Sequence, residues 1–215
     1  MTRLTEPATP RVSPPDLPEE LESAQPQRGA DLYTVRIELD GDADLSHSSL
    51  EQCVITGTAG TLELRGATLM DVDLREPRIA DLPLRDANLR RVRISGGRIG
   101  TLDLSGTRID ELELRDVRID YLNLGGAKAT DVLLADSTIR TLDMPQAELT
   151  RVRFDGCRSD EVDPRGLRAK DVDLRGLDAL SFLDVTSLRG TTLTIRQVEL
   201  LAPVFAASVG ISVRD

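Results

Sequence analysis

The chain has 215 residues, a formal net charge of −10 and only five aromatic residues: Tyr33, Tyr121, Phe154, Phe182 and Phe205. That length suits one domain with an ordinary core. With so few rings, however, the core must come from Leu, Ile, Val and Ala, which implies a narrow, regular interior. Two cysteines, Cys53 and Cys157, are too few for a secreted disulfide framework. No apolar stretch is suited to a signal peptide or a membrane span, so no membrane partner and a cytoplasmic location are expected.

Residues 1–30 hold six of the eleven prolines (Pro7, Pro10, Pro14, Pro15, Pro18 and Pro26) and little that could form a core, so a disordered tail is expected there. Residues 31–60 carry a net charge of −5 around Asp40, Asp42 and Asp44, whereas residues 61–176 sum to −2. From Leu64 a Leu or Ile then falls at every fifth residue as far as Leu124, and the series resumes as Leu134, Ile139, Met144, Leu149 and Phe154. A period of five fits neither a helix nor a flat strand; it marks a repeat architecture.

The residue two before each fifth position alternates large and small. Leu62, Leu82, Leu102, Leu122 and Leu142 form one pure column at a spacing of twenty, and Ile79, Ile99, Ile119 and Ile139 form another. Four five-residue sides per twenty-residue coil give a square cross-section, two residues of each side turned inward and three outward. Large and small side chains on alternate sides fill such a square without collision. At a strand spacing of about 4.8 Å, six to eight coils make a rod roughly 30–40 Å long. A leucine-rich repeat would need an Asn or Cys ladder, and Asn occurs only at Asn88 and Asn123.

Upstream, Leu45, Leu50 and Ile55 are one residue out of phase with Leu64, and Gly57 to Gly60 are placed to absorb the change. Downstream, Leu183, Leu188 and Leu193 are out of phase with Leu174. Ser159, Pro164 and Ala169 occupy centres that should be apolar, so the rod is predicted to be least regular over residues 157–170. An open solenoid end requires a cap. Thr194 and Gln197 read as a capping box, Pro203 as the start of a second short helix, Gly210 as a stop, and Ile211 to Val213 as a final strand.

The triplets Ala87-Asn88-Leu89, Ala43-Asp44-Leu45 and Leu122-Asn123-Leu124, with the looser Val72-Asp73-Leu74, Leu102-Asp103-Leu104 and Val172-Asp173-Leu174, resemble the repeat unit of the bacterial pentapeptide repeat family. The resemblance covers about residues 43–193 and is compatible with an actinobacterial member. It implies an all-β solenoid, a right-handed quadrilateral β-helix over residues 31–193, with residues 194–215 as a C-terminal α-helical cap. Known members dimerise through such a helix. Here Ile195, Val198, Leu201, Val204 and Phe205 would form the apolar stripe, lying over the last coil, joining a homodimer, or both.

An interior filled by aliphatic side chains offers no concave polar site, so an enzyme is not expected, nor a cofactor or a metal. His47, the only histidine, sits at an outward position, and the two cysteines fall where small buried residues belong. Some family members are acidic rods that imitate duplex DNA and bind type II topoisomerases such as gyrase. Duplex DNA carries one negative charge per roughly 1.7 Å, which the repeat body here does not approach. No direct nucleic-acid binding is expected. The leading reading is a scaffold for an unidentified protein partner, with the gyrase-binding mimic as the alternative. The candidate contact is a ladder of Arg78, Arg98, Arg118 and Arg158, with Tyr121 beside it.

Overall fold

The computed structural model describes residues 6–214, and within them the five-residue beat becomes four sides of a parallel β-solenoid of about eight turns. From Thr58 to Val162 each strand pairs with the one twenty residues on. Ile99 stands between Ile79 and Ile119, and Leu102 between Leu82 and Leu122. The centres and the residues two before them form one continuous core, in which Leu62, Leu82, Leu102, Leu122 and Leu142 are fully buried. Small positions alternate with them, as at Ala67, Ala87, Ala127 and Ala147. Where such a position is polar, its hydroxyl is spent on the backbone: Thr107 donates to the carbonyl of Leu84 at 2.7 Å, and Ser137 to that of Ala135 at 2.8 Å.

The Asp or Asn before certain centres has a local task. Asp103 accepts the amide of Ser105 at 3.0 Å, Asn123 that of Gly125 at 2.8 Å, and Asp163 that of Arg165 at 3.1 Å. These are Asx turns, which hold the chain as it leaves one side for the next. Three of the four corners also use the left-handed conformation, at the columns beginning with Gly66, Asp71 and Glu76.

Both phase slips fall where the sequence puts them. Upstream the pairing offset changes between Thr56 and Thr58. There Gly57 has φ +106°, and a Cβ would lie 2.1 Å from the carbonyl oxygen of Leu39. Downstream the offset falls to nineteen, Val172 pairing with Thr191. A 3-10 turn at Val185–Leu188, capped by Asp184, absorbs the change. Leu183 is exposed, and Phe182 and Val185 take the core positions instead.

Three local expectations are corrected. Residues 157–170 are regular: Arg158, Ser159 and Val162 pair in register with Thr138, Ile139 and Leu142, and the buried Ser159 hydroxyl donates to the carbonyl of Glu161 at 3.0 Å. A hydroxyl satisfied within its own strand substitutes for a Leu without breaking the ladder. The C-terminal helix α1 (Ile195–Ser208) continues through Pro203; Pro203 and Glu199, whose carbonyl loses its helical donor to the proline, are both exposed. Ile211 to Val213 form no strand, because the chain turns back at Gly210, where the amide of Ile211 bonds the carbonyl of Ala206 at 2.9 Å.

The capping box is present, and it closes the last coil: the Gln197 side chain donates to the carbonyls of Leu174 and Leu177 at 2.8 and 2.9 Å.

The Pro-rich segment departs most from expectation. Residues 1–5 lie outside the described residues; from Glu6 on, the segment is laid against the rod instead of trailing free. Ala8, Arg11, Ser13 and Asp16 bond to carboxylates on four different coils, and Glu22–Ser23 pairs with Val35–Arg36 at the first coil. Gly29 and Ala30 then bond the Ser46 carbonyl and the Ser48 hydroxyl. Low apolar content rules out an independent core, but it does not prevent docking on a preformed surface. Residues 22–30 thereby cover the sheet edge at the N-terminal end, as the helix does at the other.

Candidate functional site

The side centred on Ile79, Ile99 and Ile119 carries the predicted ladder. Arg78, Arg98 and Arg118 pair in register on consecutive coils, followed by Thr138 and Arg158, all with exposed side chains. Arg98 bonds Asp120 at 3.0 Å, a pair 67% and 45% exposed, which contributes little to stability. Among the described residues Arg78, Arg118 and Arg158 make no ion pair. Ala59, Ala80, Gly97 and Gly100 floor a shallow open groove beside the first three arginines. Their small size leaves the guanidinium groups room to meet a planar acidic partner.

Tyr121 does not extend this ladder as a free contact. It is half-buried, and its hydroxyl donates to Asp143 at 2.6 Å, which pushes the phenol pKa up to about 12. His47 is exposed, with a left-handed backbone at φ +59°, and its ring lies over Gly66. Cys53 and Cys157 are buried and unpaired, and burial raises both thiols.

The predicted stripe on α1 is divided. Leu201 and Phe205 pack on the core, whereas Ile195 is 80% exposed and Val198 and Val204 remain largely open.

The sequence reading passed over a second charged column. Asp71, Arg91, Glu111, Asp131, Arg151 and Asp171 occupy one corner of six consecutive coils, all with left-handed φ between +53° and +68°. Such a conformation costs a side-chain-bearing residue about 1–2 kcal/mol. The corner before it uses Gly66, Gly106, Gly126 and Gly166 at four of six equivalent places, with Asp86 and Gln146 at the other two. From Asp71 to Asp171 the charged column has no glycine, and four of its six side chains are carboxylates.

Arg91 grips Asp71 through two nitrogens, one at 2.6 Å, and Arg151 grips Asp131 at 2.7 and 2.6 Å. Both carboxylates are nearly buried and held below the ordinary carboxylate range. For Asp131 the Arg151 bond is the leading cause; for Asp71 burial opposes the shift, and the bonds from Arg91 and from the Asp16 amide outweigh it. The twenty-residue spacing of these six charges is visible in the sequence. What they hold was not, because the prolines alone say nothing about where that segment lies.

No family model matches the chain, and no curated sequence does. Among solved structures it is similar to QnrB1, a plasmid-mediated fluoroquinolone resistance protein: 16% identity, 86% of this chain and 99% of that one covered, TM-score 0.36. It is also similar to HetL, a pentapeptide repeat protein involved in heterocyst differentiation regulation from the cyanobacterium Nostoc sp. strain PCC 7120: 15% identity, 80% and 89% covered, TM-score 0.29. At these values the likeness carries no functional argument. On its own twenty-residue coil of four five-residue sides, the chain is a parallel β-solenoid.

Proposed function

We propose that the chain is a non-catalytic binding rod that engages a protein partner through the face carrying Arg78, Arg98, Arg118 and Arg158. The observation behind this reading is the in-register stack of exposed arginines beside a groove of small residues, with three of the four left without an ion pair among the described residues. Guanidinium groups repeated at the coil spacing suit an acidic strand or helix face on the partner. The core between the sides is packed with aliphatic residues, which suits a rigid presenting surface. A cytoplasmic location belongs to the same reading.

Mimicry of DNA is the weaker alternative. The repeat body nets only −2, and its most buried carboxylates, such as Asp71, Asp131 and Asp163, are already bound by arginines. A pull-down from a lysate of the source organism tests the choice. The wild-type chain is expected to retain a protein that Arg98→Glu and Arg118→Glu release. Equal retention by both variants overturns the ladder as the site, and gyrase held equally by both would transfer the reading to the mimic.

A homodimer through α1 is the second interaction we propose, on the exposure of Ile195 (80%), Val198 (45%) and Val204 (42%). Light scattering at micromolar concentration is expected to give twice the chain mass, reduced to one chain by Ile195→Asp with Val198→Asp. A wild-type monomer removes the proposal.

A further inference from the structure

The Pro-rich segment and the charged corner fit each other by a shared period. The donors are the backbone amides of Ala8, Arg11, Ser13 and Asp16, and the acceptors are Asp171, Asp131, Glu111 and Asp71 at 3.2, 2.9, 3.0 and 2.8 Å. The segment therefore runs from the late coils back to the early ones. Eight residues of polyproline II rise about 25 Å. The hundred residues from Asp71 to Asp171 are five coils, about 24 Å at the strand spacing.

Five residues of segment match three coils: Arg11 to Asp16 spans Asp131 to Asp71, and Ala8 to Ser13 spans Asp171 to Glu111. The intervening corners are Arg91 and Arg151, which hold two of the acceptors, Asp71 and Asp131. Pro7, Pro10, Val12, Pro15 and Leu17 are the half-buried residues of the segment, whereas Thr9, Arg11, Ser13 and Pro14 face solvent.

What the corner reads is consequently backbone. Each of these four bonds goes to an amide, and three of the four donors directly follow a proline that fixes the extended conformation. Side chains at the exposed positions take no part in those bonds. We propose that this corner is a docking groove for extended proline-rich peptide segments, and that residues 7–17 are a tethered, displaceable occupant. The partner segment would carry proline or a small apolar residue at the spacing of Pro7, Pro10, Val12, Pro15 and Leu17, with free amides at the four donor places. The groove lies one side away from the arginine ladder, across the side centred on Leu74, Ile94 and Leu114, and the proposal does not depend on the ladder.

The test uses the full chain with a protease recognition sequence inserted between the exposed residues Glu19 and Glu20, folded intact and then cleaved. After gel filtration, a labelled synthetic peptide of residues 6–18 is titrated back by fluorescence anisotropy. Reversible binding is expected, along with equal binding by a peptide that keeps the five half-buried residues and changes Thr9, Arg11 and Ser13. Asp131→Asn in the rod is expected to weaken binding about tenfold, and a peptide with proline at the four donor places is expected not to bind. Tethering raises the local concentration to the millimolar range, so the uncleaved chain is expected to take up the labelled peptide at least tenfold more weakly. The proposal is overturned if the peptide does not bind the cleaved rod, if the proline-shifted peptide binds as well as the native one, or if the cleaved segment never exchanges with added peptide. The last result would make the segment a permanent clamp.

Discussion

At the scale of single residues, the left-handed corner column sets side-chain chemistry against backbone comfort. Asp131 sits in a conformation that glycine adopts more readily, yet its carboxylate joins three donors: two nitrogens of Arg151 and the amide of Arg11. Its pKa is lowered, as are those of Asp71, Asp103, Asp163 and Asp173. A carboxyl depressed in the native state contributes its full stability above its unfolded value, near 4, and loses it as pH falls through the lower native value. The melting temperature should therefore hold level from pH 7 to about 5 and fall below about pH 4. Asp131→Asn should be less stable by roughly 1–3 kcal/mol at pH 7 and lose less on acidification, because it has no charge to give up. Thermal melts across that range check both statements. A melting temperature that rises on acidification, or a variant with the same acid drop, would contradict them.

At the scale of elements, each end of the coil stack is closed by a segment that is not itself a repeat. Gln197 completes the capping box of α1 and also bonds two carbonyls of the last coil, so one side chain ties helix to solenoid. Gln197→Ala should lower stability by about 1–2 kcal/mol in denaturant unfolding and should fray α1, seen as lost helical ellipticity. An unchanged ellipticity would separate the cap from the helix. The coil itself was legible, because a twenty-residue beat of Leu, Ile and small residues admits one packing. The regularity of residues 157–170 was not, since a pattern of apolar centres cannot record that Ser159 satisfies its hydroxyl within its own strand. The unbroken run of α1 through Pro203 was hidden for a similar reason: the proline's effect depends on whether the freed carbonyl meets water.

At the scale of the whole molecule, the chain is a rod with one segment laid back along its length. The arginine ladder could be read from the sequence because its members recur at the coil spacing. The acidic and basic corner recurs just as regularly, but its meaning depends on residues more than fifty positions away, such as Asp16 against Asp71 and Ala8 against Asp171. No local pattern links proline spacing to coil spacing until the rod exists.

The docked segment also makes a residue-by-residue claim. The amides of Ala8, Arg11, Ser13 and Asp16 are bonded to the rod, whereas those of Thr9, Val12 and Leu17 make no hydrogen bond among the described residues. Hydrogen exchange of the full-length chain, followed amide by amide by NMR, addresses the arrangement directly. A docked segment predicts that the first four exchange slowly and the other three exchange fast. Rapid exchange at all seven would mean that the segment trails free and that the charged corner holds nothing.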